Sequence, residues 1–175
     1  ADVLFCPGGI INTSVPAGCL EVVAFRNMLI FDDGNRRKYP PGYMRCRLAL
    51  LKKASVRSFR KADLVILLSQ YARTILDEQV PDRKGTSAVI YHGTDDTFRS
   101  NRGNHPRRSE SLPTGDYLLY VSLVDVYKAH VEVVRAFHLL CQERRTREKL
   151  LFVGPDRTSY GRRVRKEIER LGLED

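Results

Sequence analysis

The sequence has no tryptophan and only two methionines in 175 residues. No stretch of it nears the roughly 18–20 consecutive apolar positions that a bilayer-spanning helix needs. Its first residues, ADVLFCPGG, have no positively charged leader and do not read as a signal peptide. They read as the interior of a longer chain, as does the closing RLGLED, which stops where a βαβ protein begins another strand. The four cysteines, Cys6, Cys19, Cys46 and Cys141, form no CxxC pair and no Cys/His cluster. A metal centre or disulfide framework is therefore not expected, and buried free thiols in a reducing, cytoplasmic compartment are. GxGxxG, P-loop, GxSxG and HExxH motifs are all missing, which leaves a hydrolase or metalloprotease reading without support.

Acidic residues are missing from one long segment. Between Asn35 and Ala62 there are ten lysines and arginines and no Asp or Glu, so this segment carries +10 of a net +9 and the remainder sums to −1. The partner implied is anionic: nucleic acid, acidic lipid or a phosphorylated molecule. Nucleic acid would favour aromatic residues interleaved with the cations. Tyr39, Tyr43 and Phe59 are available, but Phe59 falls on the expected buried face, so nucleic acid is not the favoured partner. A peripheral contact with anionic membrane through Arg36–Lys61 is the alternative, beside a plain solvated face.

What is present is an alternation of short apolar runs and amphipathic stretches. The runs Asp2–Phe5, Glu21–Phe25, Asp63–Leu68, Ser87–Tyr91, Tyr117–Ser122 and Lys149–Val153 are continuously apolar, which suits parallel strands covered on both faces. Helices are expected over about 43–61, with Leu48, Leu51, Ser55, Phe59 and Ala62 on one face, and from an N-cap at Ser69 to about Val80. Two more are expected over about 128–145, with Val131, Val134, Phe137 and Cys141 as the buried stripe, and over 160–171, closed by Gly172. The fold class is α/β with parallel sheets. The tract 100–116, SNRGNHPRRSESLPTGD, has no apolar periodicity and is rich in Pro, Gly, Ser and Arg, so it reads as a linker between two domains, 1–99 and 117–175.

In parallel α/β sheets ligands bind beyond the carboxyl ends of the strands. Four loops stand there. Lys128 lies at the start of a helix, where unpaired N–H groups and a full positive charge suit a diphosphate; the plain reading is a solvated lysine. Ser122 ends the strand before it. His92 and Gly93 follow another strand, with glycine freedom or an ordinary turn as the two readings. Arg26 and Asn27 follow a third, either reaching a ligand or forming an Arg–Asp pair with Asp32 or Asp33. Gly8 and Gly9, in FCPGGI, make a turn after the first strand that is weak evidence alone.

Taken in order, ADVLFCPGG, VVAFRNMLIF, RSFRKADLVILLS, QYARTIL, VIYHGTDDTF, YLLYVSLVDVYKAHVEVVRAF, LLFVGPD and YGRRVRKEIERLGL resemble the retaining glycosyltransferases of family 4, across nearly the whole chain. The resemblance implies a GT-B fold built from two Rossmann-like domains, here both incomplete: the first, over 1–99, for the acceptor and the second, over 117–175, for the donor. It implies transfer of a sugar from a nucleotide-diphosphate-sugar to a glycan or lipid-linked acceptor with retention of configuration, in glycan or polysaccharide biosynthesis. The donor nucleotide sugar is a substrate, and no metal or other cofactor is implied. Lys128 matches the lysine of the family's basic pair; the arginine position falls at Leu123, a departure. Ser122 and Gly93 join Lys128 on the donor diphosphate side, and Arg26, Asn27, Gly8 and Gly9 on the acceptor side. Arg26 and Asn27 stand where many relatives have a histidine. No catalytic residue is assigned, because the family's pair of acidic residues, eight apart, is expected past Asp175; the chain alone is expected to be inactive and the full-length protein active. A nucleotide- or sugar-binding α/β module without transfer activity is the alternative.

Overall fold

The computed structural model describes residues 2–96, 112–144, 148–156 and 158–174. The chain divides into two compact units, Ala1–Arg99 and Ser100–Asp175. Most of the expected linker, residues 100–111, lies outside the described residues. Both units are α/β with parallel sheets. No helix among the described residues is long and apolar enough to cross a membrane.

The first unit contains strands β1 (Val3–Cys6), β2 (Leu20–Phe25), β3 (Leu64–Leu67) and β4 (Thr86–Val89), and helices α1 (Asp33–Lys38), α2 (Tyr43–Lys61) and α3 (Gln70–Gln79). The strands pair in parallel in the order β1-β2-β3-β4. Each strand lies within two residues of its apolar run. α1 has no counterpart in the sequence reading, because DGNRRK has no apolar periodicity. It is held by polar contacts instead: the Asp32 side chain accepts from the Asn35 N–H at 2.9 Å, and Asp33 meets Arg36 at 3.0 Å. The acid at its start and cations at its end also suit the helix dipole.

The order of the sheet decides what covers it. β2→β3 and β3→β4 step in one direction, so right-handed crossovers lay α2 and α3 on one face. On that face Val23, Phe25, Val65 and Leu67 are fully buried, and the Phe25 ring packs on Phe59 of α2 at 5.1 Å and on Phe31 at 4.9 Å. The alternate residues point the other way. There Val3, Phe5 and Leu20 are each more than half exposed. The continuous apolar strands suggested cover on both faces; among the described residues helices cover one. Covering the second face requires a crossover that steps backward, and none of these does.

The second unit repeats the arrangement. β5 (Tyr117–Val121) and β6 (Lys149–Val153) pair in parallel through α4 (His130–Arg144), and α5 (Ser159–Leu171) follows β6. Val131 and Val134 of α4 pack with Tyr160 and Val164 of α5. Phe137 and Cys141, expected in the same buried stripe, are half-buried. Leu119, Val121 and Val153 lie on the face away from α4 and are exposed. α5 ends at Gly172, whose φ of +64° lets the Leu173 N–H return to the Ile168 carbonyl at 3.2 Å. Glu167 ties the two helices together, taking Arg135 of α4 at 2.6 Å and Arg170 at 2.8 Å. The hydrogen bonds from Arg170 and then Arg135 hold its carboxyl well below the usual range, at about 2.

All four cysteines are free. The expectation that they are buried does not hold: Cys46 is exposed and Cys6, Cys19 and Cys141 are half-buried.

Candidate functional site

The loop between β5 and α4 carries the strongest candidate residue, Lys128. The Ser122 N–H continues the β5–β6 ladder to the Val153 carbonyl at 2.9 Å, and the Val124 N–H reaches the Pro155 carbonyl at 3.0 Å. Gly154 makes this close approach possible: a Cβ there would overlap the Ser122 carbonyl, and its φ is +151°. Thr158 donates to the Val124 carbonyl at 3.0 Å. The loops after the two strands are thus one hydrogen-bonded unit.

From Asp125 the chain enters a 3-10 turn, Val126–Lys128. The Asp125 carboxylate accepts from the Val126 N–H at 2.6 Å, and the Lys128 N–H reaches the Asp125 carbonyl at 3.0 Å. Ala129 then adopts the left-handed conformation, φ 56° and ψ 35°, and α4 begins at His130. Ala129 is the one non-glycine residue with positive φ among the described residues. Lys128 therefore closes a turn ahead of the helix instead of forming its first residue. Its carbonyl accepts the Tyr120 hydroxyl at 2.7 Å, and its ammonium lies 5.0 Å from the centroid of the Tyr127 ring.

Behind this turn His130 is fully buried, and neither ring nitrogen has a partner in good hydrogen-bonding geometry among the described residues. Tyr120, Phe152 and Tyr160 surround it, with centroids at 5.0, 5.1 and 6.4 Å. Burial lowers its pKa; the Lys128 charge adds to that, while the backbone and charge of Asp125 pull the other way. Tyr160 also serves the helix start, since its hydroxyl accepts the Val131 N–H at 3.3 Å. One of the first-turn amides expected to be open is therefore satisfied from α5. Sequence reasoning missed His130, Tyr120, Tyr160 and Gly154. Nothing in the local spacing of Tyr120 or Tyr160 signals their roles, which depend on pairings 8 and 29 residues away.

Ser122 stands in the same loop as Lys128, but its hydroxyl donates to the Leu123 carbonyl at 3.0 Å. Gly93 belongs to the first unit. It has no positive φ, and no atom of the described residues lies within 4 Å of a would-be Cβ, so its local backbone does not demand glycine.

The acceptor-side residues gather at the carboxyl edge of the first sheet. Gly9 follows β1 with φ +81°, a conformation that favours glycine, while a Cβ there would only touch the Ala24 carbonyl of β2 at 3.4 Å. Gly8 has no such constraint. The Asn27 side chain is used locally, since it accepts from the Leu29 N–H at 3.2 Å and starts the 3-10 turn Met28–Ile30. Arg26 is exposed, and it is not paired with Asp32 or Asp33; Asp32 caps α1, and Asp33 takes Arg36 and Lys52. Among the aromatic residues of the basic segment, Phe59 and Tyr39 are buried and Tyr43 is exposed.

Among the described residues no group of three or more His, Cys, Asp or Glu is placed to hold a metal ion. No protein-family model matches the chain, and no curated protein matches it.

Proposed function

We propose that this chain is part of a retaining glycosyltransferase that uses a nucleotide-diphosphate-sugar. In this reading the units are Rossmann-like domains of the GT-B kind, the first for the acceptor and the second for the donor. The observation that supports it is the fixed position of Lys128. Its backbone is held on both sides, by Asp125 and by Tyr120, just before the N-terminal end of a 15-residue helix. A cation so placed stabilises the charge that develops on a departing diphosphate, and its turn costs no reorganisation when the bond breaks. The sugar–oxygen bond to the diphosphate breaks with oxocarbenium character at the sugar. The electron pair leaves on the diphosphate, and the acceptor hydroxyl gives up its proton as it bonds to the sugar.

The test is binding first. A panel of nucleoside diphosphates is titrated while thermal stability is followed, because a ligand present at about 100 times its Kd stabilises the folded state by about 2.7 kcal/mol. Lys128→Ala is expected to weaken binding by a factor of tens, as loss of a charge-assisted contact of about 1.5–3 kcal/mol implies. An unchanged affinity in that variant removes the assignment. Sugar transfer by the full-length protein then separates the enzyme from a binding module.

A further inference from the structure

The cations of α2 are not equivalent. The helix carries seven and no acid. Arg45 donates to the Tyr39 and Arg37 carbonyls, Lys52 meets Asp33 and the Phe31 ring, and Arg60 pairs with Asp82. Of the four that remain, Lys53, Arg57 and Lys61 recur every fourth residue and so form one stripe. All three are exposed, and none is in a salt bridge among the described residues.

That stripe is one wall of a cavity of about 810 Å3 within the first unit. The opposite wall is the loop after β1, where Asn12, Thr13 and Ser14 contribute an amide and two hydroxyls. The loop is anchored to the helix: the Ile11 N–H donates to the Ser58 hydroxyl oxygen at 3.0 Å, and Ser58 in turn donates to the Ala54 carbonyl at 3.1 Å. The lining holds three cations and one acid, Glu21, a net charge of +2. Leu50 and Val15 line it as well, and Leu50 is 69% exposed. The volume is within the range of small-molecule sites.

Three like charges at four-residue spacing repel each other and destabilise the helix that carries them. A multiply charged anion between helix and loop reverses that penalty, and the hydroxyls and amide opposite would complete its hydrogen bonds. We infer that the cavity between residues 10–15 and α2 binds a ligand bearing a diphosphate or comparable multiply charged phosphate group, with an apolar part against Leu50 and Val15. This site is separate from Lys128 and does not depend on the glycosyltransferase reading.

The test is a titration of the 175-residue chain with inorganic pyrophosphate at low salt, followed by the backbone amide NMR signals. The signals of Asn12, Thr13 and Ser14 are expected to shift and saturate in the millimolar range or below. The Lys53→Gln/Arg57→Gln/Lys61→Gln variant is expected to bind at least tenfold more weakly at those signals. Arg47→Gln, on the same helix but outside the cavity, is expected to stay within twofold of the unaltered chain. Phosphatidic acid in phosphatidylcholine vesicles identifies the source of the phosphate. Displacement of pyrophosphate from the site together with sedimentation of the chain means a lipid headgroup; unaffected shifts mean a soluble phosphate ester. Signals 12–14 that do not move, or a triple variant that binds within threefold of the unaltered chain, overturn the inference.

Discussion

The hydroxyl of Tyr120, in β5, donates to the backbone carbonyl of Lys128 at 2.7 Å. A strand residue that faces the helix layer thereby sets the position of the turn that carries the cation. Its ring also packs edge-on against His130 and Phe152, so one side chain joins the sheet, the turn and the helix start.

Removing that hydroxyl alone is the mildest way to disturb the turn. Tyr120→Phe keeps the ring packing and is expected to cost about 0.5–1.5 kcal/mol, the net value of one hydrogen bond. Denaturant unfolding measures the stability change. Nucleoside diphosphate binding is expected to weaken with it, because the Lys128 backbone is then held from one side.

Ala129 adopts a conformation that glycine accepts at little steric cost. Ala129→Gly relieves a strain of about 1–2 kcal/mol, partly offset by the larger entropy of glycine in the unfolded chain. The expected result is a gain of about 0.5–1 kcal/mol in unfolding free energy. Ala129→Val, with a β-branched side chain in the same conformation, is expected to destabilise. The ordering Gly above Ala above Val is the check, measured by thermal melts at one pH.

His130 makes the second unit sensitive to mild acid. Its folded pKa lies below its unfolded value of about 6.5. The unfolded chain therefore binds the proton first, and protonation favours unfolding. The stabilising contribution is complete above about pH 6.5 and declines as pH falls toward the depressed folded value. His130→Phe, which keeps an aromatic ring among Tyr120, Phe152 and Tyr160, is expected to flatten the stability profile between about pH 7 and 5. A parallel slope in both proteins would show that another group titrates.

Gly154 is where the loops after β5 and β6 come closest. Gly154→Ala drives a methyl group into the Ser122 carbonyl at a φ of +151°, so the backbone has to move. Overpacking of this kind costs about 1–3 kcal/mol. Gly93→Ala, at a position with open space and ordinary φ, is the control and is expected to change stability by less than about 0.5 kcal/mol. Urea unfolding of the pair checks both.

The candidate site was legible in part. Lys128 could be singled out because a strand, a short loop and an amphipathic stretch follow one another in the sequence, and that order alone puts a cation beside a helix start. Ser122 and Asn27 could be placed after strands, and the resemblance put them on the donor and acceptor sides, but spacing did not show what their polar atoms bond. Both side chains use their polar atoms locally, Ser122 on the Leu123 carbonyl and Asn27 on the Leu29 amide. A short polar side chain next to free backbone groups has such a partner within a few residues, and residue spacing does not reveal which partner it takes. The three cations of the cavity were visible only as part of a run of ten, since the pairing of the others with Asp33, Asp82 and nearby carbonyls depends on the fold.

What the sequence by itself determined is the list of elements and the distribution of charge. The apolar runs and helical periods place the six strands and four of the five α-helices among the described residues, because periodicity records which residues avoid water. Tertiary structure decided the neighbours: the one-directional strand order that leaves Val3, Phe5 and Val121 exposed on the uncovered faces, the enclosure of His130, and the closing of the Lys128 turn by Tyr120 and of the helix start by Tyr160. Those contacts join residues that are remote in the chain or on different elements, and their energy depends on distance in space, which no local pattern along the chain encodes.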